Sequence, residues 1–322
     1  MFSTPDAWVW DFWFADDGAR YHLFFLYASR ALHDPDARHL RASIGHAVSE
    51  DLITWERVAD ALVRSDPPAP DDVATWTGSI VRAPDGAWHL FYTGVTWRDG
   101  GFIQTVCRAT SPDLLTWRKD PHNPIVVPDS RWYETWGDGT WADQAWRDPW
   151  VFADPHGSGW HMFVTARSRS GAGMPSDDVL DRGVVGHATS PDLTEWTVQE
   201  PLSAPGAGFG QAEVIQIADV DGQPILLFSC LATELAGARR VTGGSGGIWA
   251  LAADSVIGPF DLGRAVAVTD DSLYVGRLLQ DRSGRWLLFA FRNRGPDGSF
   301  VGAITDPMPF NAAAITAAAP RG

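Results

Sequence analysis

Cysteine is scarce: Cys107 and Cys230 are the only two in 322 residues, and neither sits in a CxxC or Cys/His spacing. That excludes a disulfide framework and a zinc site, and both are expected as buried thiols. Basic charge is short as well. Against 40 Asp and Glu there are 25 Lys and Arg, a formal net charge of −15. Such a surface repels phosphate backbones and anionic bilayers, so neither nucleic acid nor membrane is an expected partner. No stretch of about 18 apolar residues occurs, and the start, MFSTPDAWVWDFWFADDG, has no basic region leading into a signal-length apolar run. A cytoplasmic location is the expectation, and no metal or cofactor is called for. Helical periodicity is weak everywhere except in the alanine-rich tail after Phe310, for which coil also stays open.

Aromatic residues are abundant, with 17 Trp, 16 Phe and 5 Tyr, which suits many β-strands and faces that stack on sugar rings. Three segments share one pattern: SEDLITW (49–55), SPDLLTW (111–117) and SPDLTEW (190–196). Each follows a short strand-like run and reads as strand, tight turn and closing tryptophan. Upstream of these units stand compact apolar runs, YHLFFLY, WHLFYTG and WHMFVTA, joined further on by PILLFSC and WLLFAFR. Each comes just after a turn sequence such as DDG or PDG. The five runs recur roughly every 60 to 70 residues, the size of a four-stranded propeller blade. The expected fold is therefore all-β, a five-bladed β-propeller over residues 1–322, with blades starting near 8, 75, 146, 211 and 272.

In a propeller the first strand of each blade lines the central channel. Counting back about ten residues from each second strand reaches Asp11, Thr77 to Ser79, Asp148, Glu213 and Tyr274. Three of these five positions carry carboxylates among apolar neighbours, where a charge is costly unless it is paired, hydrogen-bonded or shifted in pKa. Carboxylates converging from three blades suit acid/base chemistry, since mutual repulsion pushes their pKa values apart. Arg147, beside Asp148, offers a fork-shaped donor to paired hydroxyls or to a neighbouring carboxylate.

These residues resemble the clan of glycoside hydrolases that contains invertases, fructanases and levansucrases. VWDFW (9–13) is similar to the clan's nucleophile string in its levansucrase form. WTGSIV (76–81) is similar to its F-S-G-S segment, and IGHAVSEDLITW (44–55) to W-G-H-A-x-S-x-D-L-x-x-W. Arg147, Asp148 and Pro149 match R-D-P, AEV (212–214) stands at the acid/base glutamate, and DSLYVG (271–276) is similar to D-F-Y-A. Val214 and Ile215 depart from the Cys or Arg-Pro that follow that glutamate in the clan. The resemblance implies a five-bladed propeller, and, as a further departure from invertases, no C-terminal β-sandwich is expected. It also implies a retaining double displacement on a β-D-fructofuranoside, with hydrolysis or transfructosylation as the outcome. Asp11 would be the nucleophile and Asp148 the transition-state stabiliser. Glu213 would be the acid/base, kept protonated by a less polar pocket and nearby carboxylates.

Trp10, Trp13 and Trp76 are expected to wall the sugar pocket, with Ser79, Arg147 and Tyr274 also binding substrate. The long segment 130–146 is expected to overhang it and to stack a leaving-group sugar. His46 and His187 read as structural, and His22, His89 and His161 as part of the repeat. Two other readings stay open. One is an inverting furanosidase of the arabinanase or xylosidase type, which needs carboxyls about 6.5 to 9.5 Å apart. The other is a non-catalytic carbohydrate-binding propeller.

Overall fold

Each of the five aromatic runs becomes the second strand of an antiparallel four-stranded sheet. The computed structural model describes residues 1–98, 100–138, 140–157, 159–169 and 178–318. Blade one contains β1 (Ala7–Asp16), β2 (Tyr21–Ser29), β3 (Ser43–Ser49) and β4 (Glu56–Arg57). Blade two contains β5 (Ala74–Arg82), β6 (Trp88–Arg98), β7 (Gly101–Ser111) and β8 (Arg118–Lys119). Blade three contains β9 (Trp146–Ala153), β10 (Trp160–Arg167), β11 (Gly183–Ser190) and β12 (Thr197–Gln199). Blade four contains β13 (Glu213–Val220), β14 (Gln223–Cys230), β15 (Gly247–Ala252) and β16 (Val266–Ala267). Blade five contains β17 (Leu273–Gln280), β18 (Trp286–Arg294), β19 (Phe300–Ile304) and β20 (Met308–Pro309), the last pairing with β18. Phe2 exchanges two 2.9 Å backbone bonds with Ile304, so the chain's start closes the ring against its last blade.

The S-x-D-L repeat is a cap between third and fourth strands. Asp51 Oδ1 accepts from the N–H groups of Ile53 and Thr54 at 2.8 and 2.7 Å. Asp113 and Asp192 make the same pair of bonds. The leucine after each aspartate, Leu52, Leu114 or Leu193, adopts a left-handed φ of 65°, 63° or 68° and is buried. That backbone conformation costs roughly 1 to 2 kcal/mol, and burying a leucine returns roughly 1.5 to 3 kcal/mol. The side chain wins, which is why a leucine can sit where glycine is usual.

Both cysteines are buried free thiols. His22 Nδ1 lies 2.9 Å from His46 Nε2, and His161 Nδ1 lies 3.0 Å from His187 Nε2, so the G-H-A histidines link second and third strands. Burial pushes His46 down to about 3 and His187 to about 4, leaving both rings neutral. The alanine-rich tail, left open between helix and coil, is an α-helix over Ala312–Ala318. Alanine favours helix intrinsically, and Ala312 and Ile315 gain burial by packing among residues of blades four and five.

Candidate active site

The first strands share one irregularity. Trp10 pairs with Leu26 and Phe12 with Phe25, leaving Asp11 as an extra residue. Thr77 in β5 is extra in the same way. In β9, β13 and β17 two residues stand opposite one: Asp148 and Pro149, Val214 and Ile215, and Val275 and Gly276. A strand without such a bulge sends successive side chains to opposite faces, and a bulge re-aims one of them. Here it lets two consecutive side chains reach the same space. Trp10 with Asp11, Trp76 with Thr77, Arg147 with Asp148, and Glu213 with Val214 all line one cavity of about 380 Å³ at the hub, which Tyr274 also lines. Asp11, Asp148, Val214 and Val275 have positive φ of 23°, 59°, 52° and 52°. For non-glycine residues such a conformation persists only where surrounding structure holds it.

The bulges correct the register expected from sequence. Asp11 and Asp148 are bulge residues, whereas Glu213 and Tyr274 stand one place earlier, in line with Trp10, Trp76 and Arg147. Trp13 and Ser79 do not wall the cavity. Trp13 lies beyond the bulge, fully buried and stacked on Phe24 at 6.2 Å. Ser79 is also buried, and its Oγ accepts from Val151 N at 3.0 Å, tying blade two to blade three. Between them and the cavity residues Gly78 allows close approach, since a Cβ there would meet the Phe91 carbonyl oxygen at 2.0 Å.

The three carboxyl groups have different surroundings. Asp11 Oδ2 accepts from the Thr77 hydroxyl. Burial, with Asp148 next in effect, pushes Asp11 up to about 7. Asp148 is 2 % exposed. Its Oδ2 accepts from Thr165 Oγ1 at 2.7 Å and Val214 N at 3.3 Å, while its own N–H donates to Thr93 Oγ1 at 2.9 Å. Burial raises the Asp148 pKa, and Arg147 opposes that rise. Glu213 Oε1 accepts from Arg147 Nη2 at 2.5 Å, and its Oε2 accepts from the Tyr274 hydroxyl. The less polar wall expected around Glu213 is thus replaced by two donors, because Arg147 and Tyr274 hold the same pre-bulge position on neighbouring blades.

Arg147 also donates to the side-chain oxygens of Gln104, at 3.0 Å, and Gln211. Burial acts to lower its pKa, but Glu213, Asp143 and Asp148 more than offset this and hold it above its ordinary value. Beneath the cavity lies Arg277, 1 % exposed. It donates to the carbonyls of Phe12, Val214 and Ile215 at 3.0 to 3.2 Å and packs over Trp150.

Loops complete the cavity. Trp141, Ala142 and Asp143, from the segment expected to overhang it, line one side together with Gln211, Leu231 and Glu234. Trp141 covers the Arg167 guanidinium at 3.8 Å, and Arg167 is in turn fixed by Glu134 at 2.7 Å. Glu234 is pushed up to about 8 by burial and then by Glu213. The opposite side receives Arg38 and His39 from the connection between β2 and β3. No sequence pattern marked Arg38, His39 or Glu234, since all three lie on connections outside the strand repeat. A wider depression of about 620 Å³, lined by residues 201–207 and 259–263, contains a single carboxylate, Asp261, and no acid/base pair. Among the described residues no group of three or more His, Cys, Asp or Glu is placed to hold a metal ion.

Residues 11–247 match the model of the glycosyl hydrolases family 32 N-terminal domain. The chain belongs to this family. It is similar to beta-fructofuranosidase 1 of Zea mays, 32% identical over 130 residues, which is 39% of this chain and 18% of that protein. It is also similar to the insoluble isoenzyme 2 of beta-fructofuranosidase from Oryza sativa subsp. indica. That match is 30% identical over 211 residues, covering 63% of this chain and 30% of the relative. The family 32 chain therefore spans less than a third of the length of these curated relatives. Among solved structures, inulosucrase from Halalkalicoccus jeotgali bound to kestose superposes with a TM-score of 0.75 at 24% identity, covering 92% of this chain and 79% of that one. Bacillus subtilis levansucrase superposes with a TM-score of 0.70 at 16% identity, covering 89% and 80%. At these identities the two structures speak to the fold, a five-bladed propeller.

Proposed function

We propose that the chain is a retaining glycoside hydrolase acting on β-D-fructofuranosides through a fructosyl-enzyme. One observation carries the reading: Asp11, Asp148 and Glu213, far apart in sequence, face one sugar-sized cavity in three different hydrogen-bonding environments. The names of the plant relatives and the kestose in the inulosucrase structure support fructosides as the substrate class.

In this mechanism Asp11 attacks the anomeric carbon as Glu213 gives its proton to the departing oxygen. Glu213 then takes a proton from water, or from a sugar hydroxyl, as that oxygen displaces Asp11. The Tyr274 hydroxyl and Arg147 hold the Glu213 carboxyl in one orientation through both steps. Asp148, fixed by Thr165 and the Val214 amide, accepts hydrogen bonds from ring hydroxyls that strengthen as positive charge develops on the sugar. Trp10 and Trp76 supply the apolar walls.

The test is incubation with sucrose, levan and inulin, following glucose and fructose separately. Equal release from sucrose signals hydrolysis, a fructose deficit signals transfer, and no fructose from any β-fructoside overturns the reading. Retention is checked with Glu213→Ala and azide. Rescue giving β-fructosyl azide requires a covalent intermediate, whereas the α-product indicates a single inverting displacement.

A further inference from the structure

The connection between β2 and β3 runs through a 3-10 turn, Pro35–Arg41, started by Asp34, whose Oδ1 accepts from Asp36 N at 2.9 Å. Its residue His39 is wedged between the first strands of blades one and two. The imidazole meets Trp10 edge to face at 6.0 Å and Trp76 at 5.9 Å, and the His39 carbonyl accepts from Trp76 Nε1 at 2.7 Å. Next to it the Arg38 guanidinium lies 3.9 Å over Phe300 and 5.5 Å from Trp10. The ring is thus held between Trp10 and Trp76, the residues that precede Asp11 and Thr77.

Both His39 ring nitrogens lack a hydrogen-bond partner among the described residues, although the ring lines the cavity. The histidines of the repeat differ in kind, since His22 with His46 and His161 with His187 satisfy each other. The ring is half-buried and its nitrogens have no partner among the described residues, so a ligand that covers them must pair with them or leave them buried and unsatisfied, which is costly. Burial, then Arg38 and Arg147, push His39 down to about 3, so the ring is neutral and offers one donor and one acceptor. A sugar hydroxyl, which both donates and accepts, matches it. An anion is disfavoured by Asp11, Asp148 and Glu213 around the same space.

We propose that His39 is a substrate-binding residue that takes one hydroxyl of the fructosyl unit on the Asp11 side of the cavity. This rests on the fructoside reading above. The fructosyl half is indicated because His39 touches the residues that precede Asp11 and Thr77. Glu213, where the leaving oxygen departs, neighbours Glu234 and Asp143 across the cavity instead.

The experiment measures kcat/KM for the parent chain, His39→Phe and His39→Asn on sucrose and on analogues lacking, one at a time, the 1-, 3-, 4- or 6-hydroxyl of the fructosyl ring. His39→Phe keeps the aromatic packing and is expected to lose roughly 10- to 100-fold on sucrose with an unchanged unfolding midpoint. His39→Asn, which keeps a donor and an acceptor, is expected to recover part of that loss. With the one analogue that lacks the bonded hydroxyl, parent and His39→Phe should fall within about 3-fold of each other, as a shared interaction can be lost only once. An equal loss on every analogue, or full activity in His39→Phe, overturns the proposal while the fructoside reading stands. A parent chain that releases no fructose overturns that reading, and this inference with it.

Discussion

The rim and the hub of this propeller use the same residue types on similar backbone to opposite electrostatic ends. At the rim, Asp51, Asp113 and Asp192 are exposed, and each accepts two backbone N–H bonds that lower its pKa, Asp51 to about 2. At the hub, Asp148 is buried and Asp11 half-buried beside it, and their pKa values rise. Both places contain left-handed residues, the buried leucines at the rim and the aspartates themselves at the hub. A carboxyl group becomes reactive or inert according to who donates to it and how much water reaches it. The rim aspartates are finished by their own turn. Those at the hub take their hydrogen bonds from other strands, Asp11 from Thr77 and Asp148 from Thr165 and the Val214 amide.

The sharpest way to break that contrast is to neutralise Asp11. Asp11→Asn is expected to cut kcat on sucrose by roughly 10⁴- to 10⁶-fold, the range for removing one member of a covalent catalytic unit, while keeping an acceptor for Thr77. Its effect on stability runs the other way. The folded pKa of about 7 lies above the ordinary carboxyl value of 3.8. The stabilising contribution of Asp11 is therefore full below pH about 3.8 and lost as pH rises through about 7. At pH 8 the variant should exceed its parent by up to about 4 kcal/mol in urea unfolding, with the difference vanishing near pH 3. An active Asp11→Asn enzyme, or one less stable at pH 8, would remove the distinction between hub and rim.

Arg147→Lys comes next. A lysine cannot reach Glu213, Gln211 and Gln104 together, and kcat/KM is expected to fall by roughly 100-fold even though the charge is kept. A smaller effect appears in the pH profile of the parent: because Asp11 must be ionised to attack, kcat/KM should fall about tenfold per unit as pH drops below about 7. An acid limb lying near pH 4 instead would mean that Asp11 is no more perturbed than a rim aspartate. The weakest effect belongs to the rim. Asp113→Ala should lower stability by about 1 kcal/mol in urea unfolding and leave kcat unchanged.

Periodicity explains how much of this was legible beforehand. Strand spacing locates the blades, and the Asp-Gly-type turns locate each second strand, so the sequence alone assigns Asp11, Asp148 and Glu213 to the channel. What periodicity cannot express is a bulge, which leaves the composition of a strand untouched while shifting its alternation by one. For that reason strict alternation sends Trp13 and Ser79 to the cavity, which they do not line, and sets Glu213 level with Asp148, whereas its counterpart is Arg147. Arg38, His39 and Glu234 stayed hidden for a different reason. They lie on connections whose paths are set by packing against other blades, as when the His39 carbonyl meets the indole of Trp76, 37 residues away.

Arg277 has a bearing on how the hub is held together. Standing on blade five, it clasps the Phe12 carbonyl of blade one and the Val214 and Ile215 carbonyls of blade four, the two strands that carry Asp11 and Glu213. One buried cation thus acts as a rivet between the backbones on either side of it, and removing it would loosen both carboxyls at once.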